Sequence, residues 1–129
     1  MTMVVLDASA LIAMLKHEPG AEVVERVIAD SKISAINYAE VVSHFCFYGM
    51  PANEVDRMLS PLPMTIIAAD AKLARVAGHL RNITASAGLS LGDRFCLALA
   101  KMEDLTAFTA DRSWQTIADQ AQLRIKLIR

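Results

Sequence analysis

The sequence has few aromatic residues and no long uninterrupted hydrophobic run. Aromatic residues make up 5% of the 129 residues, whereas hydrophobic residues make up 54%, so the core must consist mostly of Ala, Leu, Ile, Val and Met. Charges or helix breakers interrupt each apolar segment, including residues 89–100 with Asp93 and Arg94, which argues against a membrane span. The length suits one compact domain over residues 1–129.

Cysteine is also scarce. Cys46 and Cys96 are the two cysteines of the chain, and both lie in apolar helical patterns. This pattern predicts two buried, reduced thiols rather than a disulfide or a metal-binding pair. Because the sequence enters a strand pattern directly, without a basic leader or cleavage site, we expect a cytoplasmic protein.

The chain has no excess of positive charge. Its formal net charge is −1, from 13 basic and 14 acidic residues, so the molecule as a whole does not attract a polyanion. A nucleic acid would have to be bound locally. Candidate basic residues are Lys16, Lys72, Arg75, Arg81, Arg94, Arg112, Arg124, Lys126 and Arg129.

Short apolar runs alternate with helical patterns along the chain. Strands are predicted at residues 3–6, 32–35, 64–68, 106–109 and 124–128, the last of them an edge strand; helices are predicted at 8–15, 21–29, from a cap at Asn37 to about 48, 51–59, 69–85, 91–102 and 113–119. This alternation predicts an α/β fold, a three-layer α/β/α sandwich around a mostly parallel sheet. Ligands of such sheets bind beyond the carboxyl ends of the strands.

Four acidic residues stand where apolar runs give way to helix starts. Asp7 follows the first strand and Asp111 comes two residues after the fourth, while Glu40 and Asp93 lie in first helical turns. If the first and fourth strands are neighbours, all four carboxylates can meet at one edge of the sheet. Carboxylate oxygens are the ligands that Mg²⁺ and Mn²⁺ prefer, so the set predicts a divalent metal site.

Each acid also has a simpler structural explanation, because carboxylates cap helix N-termini. Asn37 and Glu40 have the spacing of a capping box. Capping does not require the acids to share one sheet edge, whereas metal chemistry does, so the set favours catalysis. His44 lies one turn after Glu40, but one Glu and one His are too few for a zinc or di-iron site.

Polar neighbours accompany the acids. Ser9 and Thr109 lie two residues from Asp7 and Asp111 and could support the acids by hydrogen bonding, or could serve only turns and caps. Arg94 and Arg112 directly follow two of the acids and could contact phosphates or pair with the carboxylates. The sequence leaves these alternatives open.

The four acidic motifs together resemble a known family. In order they are VVLDASAL, SAINYAEV, LSLGDRFCLALA and FTADRSW, and they resemble those of PIN-domain ribonucleases, specifically the VapC-type toxins of bacterial toxin-antitoxin pairs. The resemblance extends from residue 4 to about 127, and its third motif is the most specific.

The resemblance implies a five-stranded sheet in the order 3-2-1-4-5 and a Mg²⁺- or Mn²⁺-dependent endoribonuclease that hydrolyses RNA phosphodiester bonds. It also implies a homodimer and inhibition by a cognate antitoxin protein. By motif, Asp7, Glu40, Asp93 and Asp111 match the acidic ligands of the family, and Ser9 and Thr109 match its small hydroxyl positions.

The apolar surplus gives the idea of a protein partner independent support. Apolar side chains of the third and fourth helices outnumber what one core face needs, and they either form a partner groove or belong to the core. They are Phe45, Phe47, Tyr48, Met50, Met58 and Leu59.

Two other functions remain as alternatives. A PIN-like RNA or protein interaction module without catalysis would share every motif. A phosphoacceptor signalling domain has a similar strand and helix alternation, but it needs paired acids after the first strand and an acid after the third. This chain has Asp7 alone at the first position and Asp70 as a poor match at the second.

Overall fold

Strands and helices alternate through residues 2–129, which the computed structural model describes. The strands are β1 (Val4–Leu6), β2 (Ser31–Ser34), β3 (Thr65–Ile67), β4 (Thr106–Thr109) and β5 (Ile125–Leu127). The helices are α1 (Ala8–Leu15), α2 (Ala21–Glu25), α3 (Ala35–Phe47), α4 (Ala52–Leu59), α5 (Ala71–His79), α6 (Arg81–Thr84) and α7 (Leu91–Glu103). Short 3₁₀ turns cover Ile28–Asp30, Ala85–Ala87 and Arg112–Thr116.

The five strands form one sheet in the order β3-β2-β1-β4-β5, and every pairing in it is parallel. The order implied by the family resemblance is therefore confirmed, as is the edge position of β5. Because β1 and β4 are neighbours, with Leu6 opposite Phe108, the residues that follow them emerge side by side at the carboxyl edge.

Helices cover both faces of β1, which explains its continuous apolar sequence. Val5 packs in a core cluster with residues of α5 and α7, whereas Val4 and Leu6 pack in another with residues of α1 and α2. Successive side chains of a strand point to opposite faces, so one three-residue strand contributes to both cores. The predicted three-layer α/β/α sandwich is confirmed.

The predicted helix over residues 69–85 is wrong at both ends. Asp70 caps α5 by accepting a hydrogen bond from the Leu73 amide, so the helix begins at Ala71. It ends at His79, and α6 follows as a separate short helix. The Thr84 hydroxyl donates to the Leu80 carbonyl, a local bond that competes with a regular helix.

Three other elements differ from the prediction by more than one residue. The second helix stops at Glu25 rather than at residue 29, and the segment predicted as a helix over 113–119 is a 3₁₀ turn over Arg112–Thr116. The cap of α3 is Ser34, whose hydroxyl accepts from the Asn37 amide, rather than Asn37 itself. Asn37 instead lies buried in the first turn.

The two cysteines are both free, but only Cys96 is buried. The prediction of two buried thiols is wrong for Cys46, which is exposed on α3 because the buried face of that helix is formed by Asn37, Val41 and Phe45. Within residues 2–129, none of the helices combines the length and apolarity needed to cross a bilayer.

Candidate functional site

Asp7 lies at the carboxyl end of β1, between α1 and the end of β4. It is 4% exposed, and its Oδ2 accepts hydrogen bonds from the Ser9 hydroxyl at 2.7 Å and the Thr109 hydroxyl at 3.0 Å. Its side chain caps no amide of α1. The simple capping explanation therefore does not apply to Asp7, which is positioned by hydroxyl groups from the first turn of α1 and the end of β4.

The same two hydroxyls also fix the backbone that leads to Asp111. The Ser9 hydroxyl accepts from the Ala110 amide, and the Thr109 hydroxyl accepts from the Asp111 amide, each at 3.0 Å. Each hydroxyl thus donates to Asp7 and accepts from the β4 loop. This supports the expected positioning role of Ser9 and Thr109, and it places the backbone amide of Asp111 one hydroxyl group away from the Asp7 carboxylate.

Glu40 reaches the amino end of α7. A Cβ atom added to Gly92 would lie 2.6 Å from Glu40 Cδ, so this approach requires glycine at position 92. The Asn37 amide group donates to Glu40 Oε1 at 2.8 Å and to the Gly92 carbonyl at 2.9 Å. Asn37 therefore connects the first turn of α3 with the first turn of α7.

Asp93 and Asp111 hold the starts of their own segments. Ser90 and Asp93 form a capping box, in which Asp93 Oδ2 accepts from the Ser90 amide at 2.9 Å. Asp111 Oδ1 accepts from the amide and the hydroxyl of Ser113 at 2.9 and 2.7 Å. For these two acids the capping explanation is correct, although it occupies only part of each carboxylate.

The electrostatics show that three of the acids share one region. Burial raises the pKa of Asp7 to about 6; the hydrogen bonds from Ser9 and Thr109 oppose this rise, and the charges of Asp93 and Glu40 add to it. Partial burial raises the pKa of Glu40, which the Asn37 hydrogen bond opposes and the Asp93 charge increases.

Cys96 lies where all three of these charges act. Burial raises the pKa of its thiol well above the ordinary value, and the charges of Asp7, Asp93 and Glu40 raise it further. A neutral thiol of α7 thus lies within range of these three charges. Asp111 is not among the charges that act on these groups, and its connection to the site runs through Thr109.

Each of the four carboxylates is held through one oxygen and keeps the other without a hydrogen bond from the described residues. The held atoms are Asp7 Oδ2, Glu40 Oε1, Asp93 Oδ2 and Asp111 Oδ1. Capping and ligand binding are therefore compatible, because the first uses one oxygen and leaves the second available.

This donor set fits a hard divalent cation. Four carboxylates with available oxygens supply the ligands that Mg²⁺ and Mn²⁺ prefer, and a cation would offset both the burial and the carboxylate repulsion that raise the pKa of Asp7. Across residues 2–129, however, no three His, Cys, Asp or Glu side chains are arranged to share one ion. A cation here would be bound by one or two carboxylates and completed by water and substrate phosphate, as is usual for Mg²⁺.

The two arginines that follow the acids have different environments. Arg94 is 8% exposed, and one of its terminal nitrogens donates to the Ala77 carbonyl of α5, so its expected contact with a phosphate is not supported. Arg112 is exposed at the start of its 3₁₀ turn. Only Arg112 keeps the predicted access to a substrate.

Sequence analysis missed three contributors to the site. Asn37 had been predicted as a cap, and Gly92 and Ser90 were not singled out. Both Gly92 and Ser90 lie within the LSLGD motif at residues 89–93, so the acid was recognised without the residues that make room for its neighbour and fix its orientation.

The residues of this site lie in a segment that matches a known protein family. The profile of the PIN domain matches residues 4–120, which includes all four acids. This chain belongs to the PIN domain family. Its relatives include a ribonuclease VapC of Mycolicibacterium smegmatis, 36% identical over 110 residues, covering 76% of this chain and 83% of the relative. Ribonuclease VapC42 of Mycobacterium tuberculosis is 32% identical over 108 residues, covering 76% and 82%.

Solved structures share the fold of this PIN domain. A toxin-antitoxin complex from Klebsiella pneumoniae has a chain that superposes with a TM-score of 0.74 at 21% identity, covering 98% of each chain. VapBC2 of Rickettsia felis, bound to a DNA fragment from its promoter, gives a TM-score of 0.72 at 20% identity, again covering 98% of each chain.

Proposed function

We propose that this PIN domain is a metal-dependent endoribonuclease that hydrolyses RNA phosphodiester bonds, and that it is the toxin of a toxin-antitoxin pair. The observation that carries the proposal is the set of four carboxylates, each anchored through one oxygen with the other available. Relatives named ribonuclease VapC, more than 30% identical over most of the chain, support RNA as the substrate.

Each carboxylate has its own position and contribution in the proposed site. Asp7, anchored by Ser9 and Thr109, provides a fixed buried charge at the floor. Glu40 and Asp93 add charge from α3 and α7, and Asp111 adds an oxygen from the β4 loop. One or two of them would hold Mg²⁺ or Mn²⁺ directly, and the others would act through water and charge. The ion, when bound, activates water and offsets charge on the scissile phosphate.

The negative charges of the site make a bound cation necessary for substrate binding. Burial raises the pKa values of Asp7 and Glu40 most, and repulsion among the three neighbouring carboxylates adds to the rise. The same charges would repel a phosphodiester as well. Substrate therefore binds only when that negative charge is compensated. Arg112, exposed beside Asp111, is positioned to contact a phosphate on the side of the β4 loop.

Cleavage of labelled RNA by the purified protein, with Mn²⁺ or with a chelator, tests the proposal. We expect hydrolysis with the metal and none with the chelator. Asp93→Asn should abolish cleavage, because it removes a charge and an available carboxylate oxygen, while the amide oxygen can still accept from the Ser90 amide. Asp56→Asn, an exposed change on α4, is the matched control and should cleave normally.

The same assay separates this function from the alternative of an interaction module without catalysis. Such a module would bind RNA or protein but leave RNA intact under every metal condition. Full activity of Asp93→Asn with unchanged metal dependence would instead refute the assignment of the site.

A protein partner is the second part of the proposal. The solved structures that share this fold include toxin-antitoxin complexes, and we propose a cognate antitoxin and a homodimer for this chain. Co-expression with a protein encoded by a neighbouring reading frame should neutralise the RNA cleavage. Light scattering of the isolated chain at micromolar concentration should give twice the 14.0 kDa of one chain.

A further inference from the structure

The outer surface of α5 and α6 carries basic side chains that the proposed hydrolysis does not use. Lys72, Arg75 and His79 are exposed on α5, and Arg81 is exposed at the start of α6. Together these four residues form the α5 ridge. Positions 72, 75 and 79 are three and four residues apart, so their side chains lie along one stripe of the helix.

No acidic residue compensates the charge of the α5 ridge within its own segment. Residues 71–92 include three of the 13 basic residues of the chain and none of its 14 acidic residues. Asp70, directly before this segment, is engaged as the cap of α5. None of the ion pairs formed within residues 2–129 includes a cation of the ridge. The net charge of −1 therefore arises from an uneven distribution, with a basic segment in a chain that is otherwise acidic.

The α5 ridge lies close to the acidic site. Arg94, which directly follows Asp93, donates to the Ala77 carbonyl, so the last turn of α5 packs against the first turns of α7. The length of one arginine side chain thus separates the backbone of α5 from the segment that holds Asp93. Arg94 is buried and forms no ion pair within the described residues, so it adds a positive charge beneath the ridge.

The surface around the α5 ridge lacks the side chains that usually anchor a protein partner. Protein interfaces depend on a few large aromatic or apolar residues at their centre, and α5 and α6 expose none of these. The large apolar side chains that are exposed among residues 2–129 lie on other elements: Phe47, Tyr48, Ile66, Leu91 and Met102. The ridge therefore offers a partner positive charge without an apolar anchor.

The shape of the α5 ridge allows close approach by a sugar-phosphate strand. The other exposed residues of α5 are small, namely Ala71, Ala74 and Gly78, so they do not block access to the basic side chains. Lys72 and His79 are about 10 Å apart along the helix axis. At this length the ridge can contact more than one phosphate of a strand.

We propose that the α5 ridge contacts phosphates of the RNA on one side of the scissile bond, by charge and without reading the bases. This inference rests on the proposed ribonuclease function and adds a substrate-binding surface to it. The ridge supplies the local positive charge that a molecule with a net charge of −1 needs in order to bind a polyanion. Phosphate contacts of this kind position a nucleic acid and carry no sequence information.

Salt-dependent binding, measured without cleavage, tests the α5 ridge separately from the hydrolytic site. In an Asp93→Asn background with Mn²⁺ present, fluorescence anisotropy would follow labelled RNAs of two unrelated sequences at several salt concentrations. The ridge variant combines Lys72→Gln, Arg75→Gln and Arg81→Gln. The matched control combines three changes at exposed cations on other elements, which likewise form no ion pair within residues 2–129: Arg26→Gln, Arg57→Gln and Lys101→Gln.

We expect the ridge variant to bind both RNAs roughly 10- to 100-fold more weakly at about 0.1 M salt. Each phosphate contact with a single strand contributes about 0.7 to the slope of log affinity against log salt concentration, so three lost contacts should reduce that slope by about 2. The control should keep the affinity and the slope. Lys72→Arg with Arg75→Lys and Arg81→Lys should also keep both, because the charges remain.

Cleavage kinetics give a second measurement of the same surface. In a chain with all four acids intact, the ridge variant should raise KM for RNA and leave kcat unchanged. The reason is that contacts away from the reacting phosphate stabilise the bound substrate and the transition state equally. A lower kcat at saturating RNA would contradict a role confined to binding.

Several binding results would overturn the proposal. One is an unchanged salt slope in the ridge variant, and another is an equal decrease in the control. A loss confined to one of the two RNA sequences would also contradict it, because phosphate contacts do not depend on sequence. If the ridge variant bound RNA normally but no longer bound an antitoxin or itself, the ridge would be a protein interface. Weaker RNA binding by the ridge variant of a protein that cleaves no RNA would refute the nuclease function and leave the ridge intact.

Discussion

At the scale of single residues, two of the four acids each cap a segment with one oxygen and keep the other oxygen available. Asp93 caps α7 with one oxygen, as its position at a helix start predicts, and keeps the second oxygen available. Asp111 does the same with Ser113. Capping by these two acids is therefore compatible with the metal binding that we propose for them.

The buried charge of Asp7 predicts a pH-dependent stability. In chelator, its folded pKa of about 6 exceeds the ordinary 3.8, so between these values the folded state binds more protons than the unfolded state. Stability should then decrease as pH rises from about 4 to about 6, by up to about 3 kcal/mol, and stay level above that window.

Urea unfolding at several pH values measures this effect. Asp7→Asn should remove most of the decrease and be more stable than the wild type at pH 7, although inactive. A wild-type protein whose stability rises through the same window would show that Asp7 is not a buried, destabilised charge.

Gly92 should be intolerant of even a methyl group. Gly92→Ala would place a Cβ against the Glu40 carboxyl and push that carboxyl away, so RNA cleavage should fall at least tenfold while the fold persists. Gly78→Ala in α5 is the control, because a Cβ there has open space and should stabilise by about 0.5–1 kcal/mol. Equal activity of the two variants would contradict the role assigned to Gly92.

At the scale of helices and strands, the sequence predicted best where local pattern and tertiary environment agree. The short run at β1 was recognised because it is buried on both faces, and α1 and α4 were placed to within a residue. The predicted 69–85 helix begins later because Asp70 caps it, and it is interrupted between His79 and Arg81. Apolar periodicity contains neither feature.

The contact between α3 and α7 likewise could not be predicted from local sequence patterns. All four acids were identified from their positions in the chain, but the Asn37 bridge to Gly92 depends on residues 55 apart in sequence. Spacing alone assigned Asn37 to a cap. Only the packed helices show that it orients Glu40.

Replacing Asn37 should therefore lower both the stability of the fold and the rate of RNA cleavage. Asn37→Ala removes the side-chain bonds to Glu40 and Gly92. It also leaves the buried Ser34 hydroxyl without its acceptor, at a cost of about 1–3 kcal/mol. RNA cleavage at a temperature well below unfolding should fall as Glu40 loses its orientation. Asn82→Ala on α6, an exposed position, should change neither quantity, and a variant Asn37→Ala with full activity would contradict this role.

At the scale of the whole molecule, strand order separates the proposed nuclease from the phosphoacceptor alternative. Signalling domains of that kind have the order 2-1-3-4-5, whereas this sheet is 3-2-1-4-5. Asp70, the only acid near the end of β3, is engaged as the cap of α5. The topology thus agrees with the family match and excludes that alternative.

A divalent cation should stabilise the whole fold, because it binds the folded state alone. At a concentration 100 times its dissociation constant, the gain is about 2.7 kcal/mol. Thermal unfolding with Mn²⁺ and with chelator should show a higher Tm with the metal, and Asp7→Asn should lose most of that increase. A metal-independent Tm would contradict a site formed by these carboxylates.

The most direct test of the account is calorimetric titration of Mn²⁺ into the folded wild type and into Asp7→Asn, Glu40→Gln, Asp93→Asn and Asp111→Asn. We expect saturable binding to the wild type and weaker binding to every variant, at least tenfold weaker where the carboxylate contacts the ion directly and less where it acts through charge or a bridging water, with circular dichroism unchanged. Wild-type affinity retained in all four variants, or no saturable binding to the wild type, would contradict it.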